Sequence, residues 1–214
     1  MNTRITFVLV SIVVAMMTVA AVLAADNGAD GSRDTGVQVT YFSDKHLHNP
    51  VATSTESQIN FNSNTHTFPP NVPDADYALR FQAYLSVPES GEYVFTVSAD
   101  DAAILLLNQR VEIFHWIGDG LSQLSSAPVT LSAGVLYPLE LLHYEFCCGA
   151  QAVLSIQKVG DSPIIVPASY FTQPDSAFPA QDLSRFNFTD RYDADGNMLV
   201  YTDNLAFAWH NWSW

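Results

Sequence analysis

Between Tyr77 and Ala99 the apolar side chains fall on every second residue, and that period fixes what the segment can become. Leu79, Phe81, Ala83 and Leu85 alternate with Arg80, Gln82 and Tyr84, and Tyr93, Phe95, Val97 and Ala99 alternate with Val94, Thr96 and Ser98. Side chains of an extended chain point to opposite faces in turn, so each run is a strand with one apolar and one wet face. Val87, Pro88, Glu89, Ser90 and Gly91 between them read as a turn, which makes the two runs an antiparallel pair. Asp100 and Asp101 interrupt the pattern, and Ile104 to Leu107 resumes it as a central strand. Asn108 and Gln109 form a tight turn, and Val111, Ile113 and Trp116 continue on the return strand.

The same grammar extends to both sides. Val37 to Phe42 is a first strand, and residues 43 to 76 are polar and proline-bearing, read as long loops with short edge strands around Gln58 to Phe61. Val129 to Leu131 precedes a long strand, Leu136 to Phe146, whose partner Ala152 to Ile156 lies across the loop Cys147 to Ala150. Past the N-terminal apolar stretch, no segment keeps an apolar period of 3.6 over three turns. Many strands with glycine and proline turns at short spacing give an all-β fold, an antiparallel sandwich or barrel. The stretch 174–214 differs from the rest, with turn residues and then Trp209, Trp212 and Trp214, and reads as a short, irregular, aromatic-rich C-terminal extension.

The N-terminus carries Arg4, an apolar run from Ile5 to Val19, and the small residues Ala20, Ala21, Ala24 and Ala25. That is the pattern of a secretory signal over 1–24, cleaved after Ala24 or Ala25; the alternative is an uncleaved membrane anchor. Either places the remainder outside the cytoplasm, secreted or at the cell surface. Residues 25–35 are small and polar, a lead-in to a folded domain over 36–173. With 22 acidic against 8 basic residues, the surface repels phosphate backbones and anionic lipid, so neither nucleic acid nor a lipid surface is expected as a partner beyond that anchor. The two cysteines, Cys147 and Cys148, are adjacent, so stability must come from core packing. They either close a small vicinal disulfide ring, remain as buried thiols, or bond between chains.

The order of features from Gly36 to Tyr170 resembles the PA14 family of β-sandwich domains, found in toxins, glycosidase accessory regions and yeast adhesins. The stretches that carry the likeness are Gly36, Val37, Tyr41 and Phe42; Tyr77 to Leu85; Pro88 to Phe95; and above all Ser98, Ala99, Asp100, Asp101. Leu105 to Val111, Trp116, Val129 to Gly134 and Leu139 to Tyr144 follow in the same order. The resemblance implies a PA14-like antiparallel sandwich and, in the sugar-binding members, a calcium ion held by the acidic pair. Neighbouring side chains on an extended backbone diverge; members with a metal site are known to converge theirs through a cis peptide. Calcium takes six to eight oxygens, so the remainder of the shell falls to the Phe146–Gln151 loop and a diol of the ligand. This loop reads Phe146, Cys147, Cys148, Gly149, Ala150, Gln151 and lacks the asparagine usual there, which leaves backbone carbonyls to take its part.

The resemblance implies a non-catalytic, calcium-dependent carbohydrate-binding or adhesion module, with Asp100 and Asp101 as metal ligands. By the same resemblance Trp116, Phe146, Cys147, Cys148, Gly149 and Gln151 are expected to border the ligand, although Trp116 also has the character of a core residue. The alternative is a structural or protein-interaction module that binds an extracellular or cell-surface protein and no sugar. No histidine, serine and acid stand at a recognisable spacing, and no nucleotide or zinc motif occurs. His46, His48 and His66 fall in polar loops, where His46 and His48 reach a shared metal only if they stand on one strand face. Asp193, Asp195, Gly196 and Asn197 resemble part of a calcium loop without its distal glutamate. Asn187 and Asn211 sit in glycosylation triplets.

Overall fold

The protein is seen here as a computed structural model that describes residues 33–116 and 120–179, together with the backbone of 190–192 and 198–200. The N-terminal signal with most of the lead-in, Asp193 to Asn197, Asn187, Asn211 and the C-terminal tryptophans lie outside the described residues. Among the described residues there is no α-helix, and no helix long and apolar enough to cross a membrane.

Two antiparallel sheets face each other. The seven-stranded sheet contains β1 (Val37–Phe42), β2 (Pro50–Glu56), β4 (Tyr77–Leu85), β6 (Ala102–Leu107), β7 (Arg110–His115), β10 (Tyr137–Glu145) and β13 (Phe171–Thr172). Its path is β2-β1-β4-β10-β6-β7, with β13 beside β4. The six-stranded sheet contains β3 (Asn60–Asn62), β5 (Gly91–Asp100), β8 (Ser122–Ser125), β9 (Val129–Leu131), β11 (Gln151–Lys158) and β12 (Ile164–Ile165), centred on the long β5·β11 pair. The 174–214 stretch is not wholly irregular: β14 (Asp190–Tyr192) and β15 (Met198–Val200) pair as a two-stranded hairpin.

The alternation identifies the faces correctly. Leu79, Phe81, Ala83 and Leu85 of β4 and Tyr93, Phe95, Val97 and Ala99 of β5 all point into the main core, each almost fully out of solvent. Burying a side chain such as Phe81 or Phe95 contributes roughly 1.5–3 kcal/mol over leaving it in water. The partners, however, differ from the hairpin expectation. β4 pairs with β1 and β10, while β5 pairs with β11 in the opposite sheet. The same holds for β10 and β11, which flank the cysteine loop but belong to different sheets. In a sandwich the chain can step between layers at a corner, and a period of two specifies which face is buried without saying in which layer the strand lies.

β6 is buried on both faces. Ala103, Leu105 and Leu107 enter the main core, and Ala102, Ile104 and Leu106 join a smaller cluster with Phe42, Leu47, Trp116, Leu142 and Tyr144. That explains the unbroken apolar run Ile104–Leu107. Asn108 (φ 48°) and Gln109 (φ 66°) make the left-handed two-residue turn into β7 that matches the strand twist. On the other sheet, Ser126 Oγ accepts the Phe95 amide at 3.0 Å and donates to the Ala127 carbonyl at 2.7 Å. Ser126→Ala removes that acceptor from a buried amide, and is expected to cost about 1–3 kcal/mol in chemical denaturation.

Candidate functional site

Two of the steps between sheets lie side by side. β5 ends at Asp100 and β6 begins at Ala102, so the chain changes layer across Asp101 alone. The return step runs from Glu145, the last residue of β10, to Gln151, the first of β11. Gln151 stands opposite Asp100, and Tyr144 opposite Ala102, which brings the two corners into register. The Asp101 amide donates to the Tyr144 carbonyl at 3.3 Å, and Gln151 Nε2 donates to Ser98 Oγ at 2.9 Å. The Asp100–Asp101 peptide is cis.

This corner gathers three carboxylates. Asp100, Asp101 and Glu145 each offer an oxygen, and these lie within 4.8 Å of one another. Asp101 is 6 % exposed; its Oδ1 accepts the Gly120 amide at 2.9 Å and its Oδ2 accepts the Phe146 amide at 2.8 Å. Each oxygen keeps a second lone pair for another partner. Glu145 is 1 % exposed, its Oε1 meets the Gly149 amide at 3.4 Å, and its Oε2 is buried with no hydrogen-bond partner. An unsatisfied buried acid oxygen is uncommon and calls for a ligand or a charge.

The electrostatics follow from that crowding. Burial, and then the Asp101 charge, push the Glu145 carboxyl up to about 8, against which the Gly149 amide pulls back. Burial and then the charges of Glu145 and Asp101 push the Tyr77 phenol far above its ordinary range. His143 is fully buried, and that burial pulls its imidazole down to about 4. Its Nε2 lies 2.7 Å from the Asp100 carbonyl, which can only accept, so Nε2 carries the proton. A divalent cation among the three acids would relieve what burial and like charge impose on Glu145; hard oxygen donors of this kind suit calcium. The donor set therefore fits calcium, with Asp100, Asp101 and Glu145 as the residues that would hold it.

Glu145 is the residue that the sequence reading missed, and its signal was present. Leu139, Leu141, His143 and Glu145 are every second residue of β10, so two ionisable groups stand on the face that fills the core. The loop's hydrogen bonds to the acids are amide donations, from Phe146 and Gly149. Phe146 is 44 % exposed, and Cys147 and Cys148 are exposed and joined in a disulfide. Gln151 lies in a strand beside the acids. Trp116 does not face the loop surface: it is 2 % exposed and stacks on Tyr144 at 5.8 Å, so it is core wall. A cavity of about 550 Å³ opens next to Glu145, between Phe68, Asp74, Tyr77 and Cys148.

His46, His48 and His66 are not among the groups gathered at this corner. His46 and His48 lie in the loop after β1, where Asp44 Oδ1 accepts both their amides at 2.8 and 3.2 Å, and they do not stand on a strand. His66 bonds the Tyr41 hydroxyl at 2.8 Å and packs on Phe61.

No curated protein matches the chain. Among solved structures, an anti-sigma factor domain-containing protein superposes with a TM-score of 0.63 at 20 % identity, over 70 % of this chain and 51 % of that one. The chain thus spans about half the length of that relative. The PA14 sugar-binding domain from an RTX adhesin gives 0.56 at 14 % identity, over 65 % of this chain and 99 % of that one. The Epithelial Adhesin 6 A domain from Candida glabrata, solved with Galb1-3GlcNAc, gives 0.55 at 15 % identity, over 81 % and 95 %. At such identities these likenesses speak for the fold. The family model described as PA14 domain matches residues 33–157, the span that holds both sheets' central strands and all three acids, and the chain belongs to the PA14 domain family.

Proposed function

We propose that the chain is a calcium-dependent carbohydrate-binding or adhesion module, non-catalytic and working outside the cytoplasm. The observation that carries this reading is the acidic corner: three carboxylates within 4.8 Å, one buried oxygen without a partner, and an exposed loop alongside. Asp100, Asp101 and Glu145 would hold the calcium, which would supply a Lewis-acidic centre able to take sugar hydroxyls as oxygen ligands. The protein's own part is to fix the acids. The Gly120 and Phe146 amides hold the Asp101 carboxylate, the Gly149 amide holds Glu145, and the loop Phe146–Cys148 gives the ligand a surface to rest on. Relatives of the same fold include a sugar-binding domain and an adhesin solved with a disaccharide, which supports sugars as the ligand class.

The site lacks the layout of a glycosidase. Hydrolysis needs two carboxyl groups on either side of a glycosidic bond, whereas Asp101 and Glu145, at 6 % and 1 % exposure, leave no room for a ring between them. A glycan array probed with the protein in millimolar calcium, and again with a chelator, tests the reading. Retention of a defined glycan set that chelation abolishes is expected. Retention that ignores the chelator would remove calcium from the mechanism, and no retention in either condition would favour a protein-interaction module.

A further inference from the structure

Glu145, Phe146, Cys147, Cys148 and Gly149 form the turn that delivers two amides to the acidic corner, and this turn is fixed unevenly. At one end the Phe146 carbonyl accepts the Asp76 amide at 3.3 Å, and its own amide reaches Asp101. At the other, Ala150 exchanges bonds with Ser63: its amide donates to Ser63 Oγ at 2.9 Å and its carbonyl accepts the Ser63 amide at 2.9 Å. Between these anchors the side chains of Phe146, Cys147 and Cys148 are exposed, so core packing does not hold them. Cys148 also has φ +83°, in the left-handed region that a residue with a Cβ seldom adopts. What spans the gap is the Cys147–Cys148 disulfide.

We propose that this disulfide is a positioning device for the cation site: it locks the middle of the turn so that the Phe146 amide stays on Asp101 and the Gly149 amide stays on Glu145. Donors aimed beforehand at the acids keep their oxygens oriented and spare the site the ordering cost at the moment of binding. Loss of groups that orient metal ligands typically weakens metal affinity about 10–100-fold. The inference rests on the calcium reading for its effect on affinity, but the amide placement stands without it.

The test compares three forms of the full chain: oxidised, reduced with a phosphine, and Cys147→Ser/Cys148→Ser. Two quantities are read, calcium affinity by calorimetry and, in calcium-free protein, hydrogen exchange at the Phe146 and Gly149 amides. The reduced and double-serine forms are expected to bind calcium about 10–100-fold more weakly. Those two amides should exchange faster, while amides in the middle of β5 and β10 keep their rates. A fourth form, Cys147→Ser/Cys148→Gly, separates the lock from the backbone preference; it should stay weak, since glycine tolerates the left-handed φ but leaves the turn unlocked. Full recovery in that form, or equal affinity and equal exchange in oxidised and reduced protein, would overturn the proposal. If the double-serine form does not fold, the reduced parent gives the same comparison. If oxidised protein takes up no calcium, the calcium reading fails by itself, and the exchange rates then decide the positioning role: faster in the reduced form upholds it, unchanged rejects it.

Discussion

Glu145→Gln is expected to raise the melting temperature of the calcium-free protein and to lose most of the rise that calcium gives the parent. Burial and the Asp101 charge hold the Glu145 carboxyl at about 8, so its charged form is the one the fold disfavours. Glutamine keeps an acceptor for the Gly149 amide and brings an NH₂ that can donate to the neighbouring acids. At pH 7 the calcium-free fold therefore takes up a proton on Glu145 that the unfolded chain does not bind. Glutamine, which needs none, should add on the order of 1–2 kcal/mol, in a domain of this size roughly 2–8 °C. Calcium at about a hundred times its dissociation constant stabilises the parent by about 2.7 kcal/mol, and the variant lacks one ligand for it. The order of the two melting temperatures should then invert between chelator and millimolar calcium. An acid with a purely structural role would give the same order in both. Asp101→Asn is a blunter probe, because both Asp101 oxygens accept backbone amides and an NH₂ facing one of them destabilises the corner with or without metal.

The second large effect lies on the outer face of the seven-stranded sheet. The Glu140 side chain is fully buried and receives Arg80 Nε at 2.9 Å, Arg80 Nη2 at 3.1 Å and Gln82 Nε2 at 3.2 Å. The two-pronged contact satisfies both carboxylate oxygens. Arg80→Met takes the two-pronged partner away from a buried acid, at an expected cost of about 3–5 kcal/mol. Adding Glu140→Leu should return most of that loss, because an apolar pair of similar volume needs no desolvation of charge. Urea denaturation of the two variants and the parent checks both signs. An Arg80→Met protein as stable as the parent would show that the pair is not what holds Glu140 in place.

Much of this architecture was legible because period-two alternation is a local signal. Strands β4, β5, β6, β7, β10 and β11 all announce themselves, and for β4 and β5 the faces they bury are the faces read from the sequence, whereas Val111 of β7, read together with Ile113, stands exposed. The layer each strand joins was not legible. The segment after Leu85 looks like any short hairpin loop, and only the pairing of β5 with β11 shows that the chain has changed sheet. β2 was missed for another reason. Pro50 to Glu56 shows no apolar alternation, and among the described residues it is an edge strand paired with β1 that keeps every residue at least partly exposed.

The site divides along the same line. Asp100 and Asp101 could be singled out because they break a strand pattern at a place that a known family marks. Glu145 could not be tied to them from sequence spacing, because the contact depends on two separate layer changes meeting at one corner. Trp116 was drawn to the ligand side by its position in the chain, yet Tyr144 and the β6 side chains enclose it. Proximity along the chain to a binding loop says little about which way a side chain turns once a strand has ended.

The most direct test is calorimetric titration of the chelator-stripped protein with calcium. A single saturable binding heat, with a parallel rise in melting temperature and both effects diminished in Glu145→Gln, is the expected result. No heat and no thermal shift at millimolar calcium would mean that the three acids do not share an ion, and would contradict the cation site on which the carbohydrate reading depends.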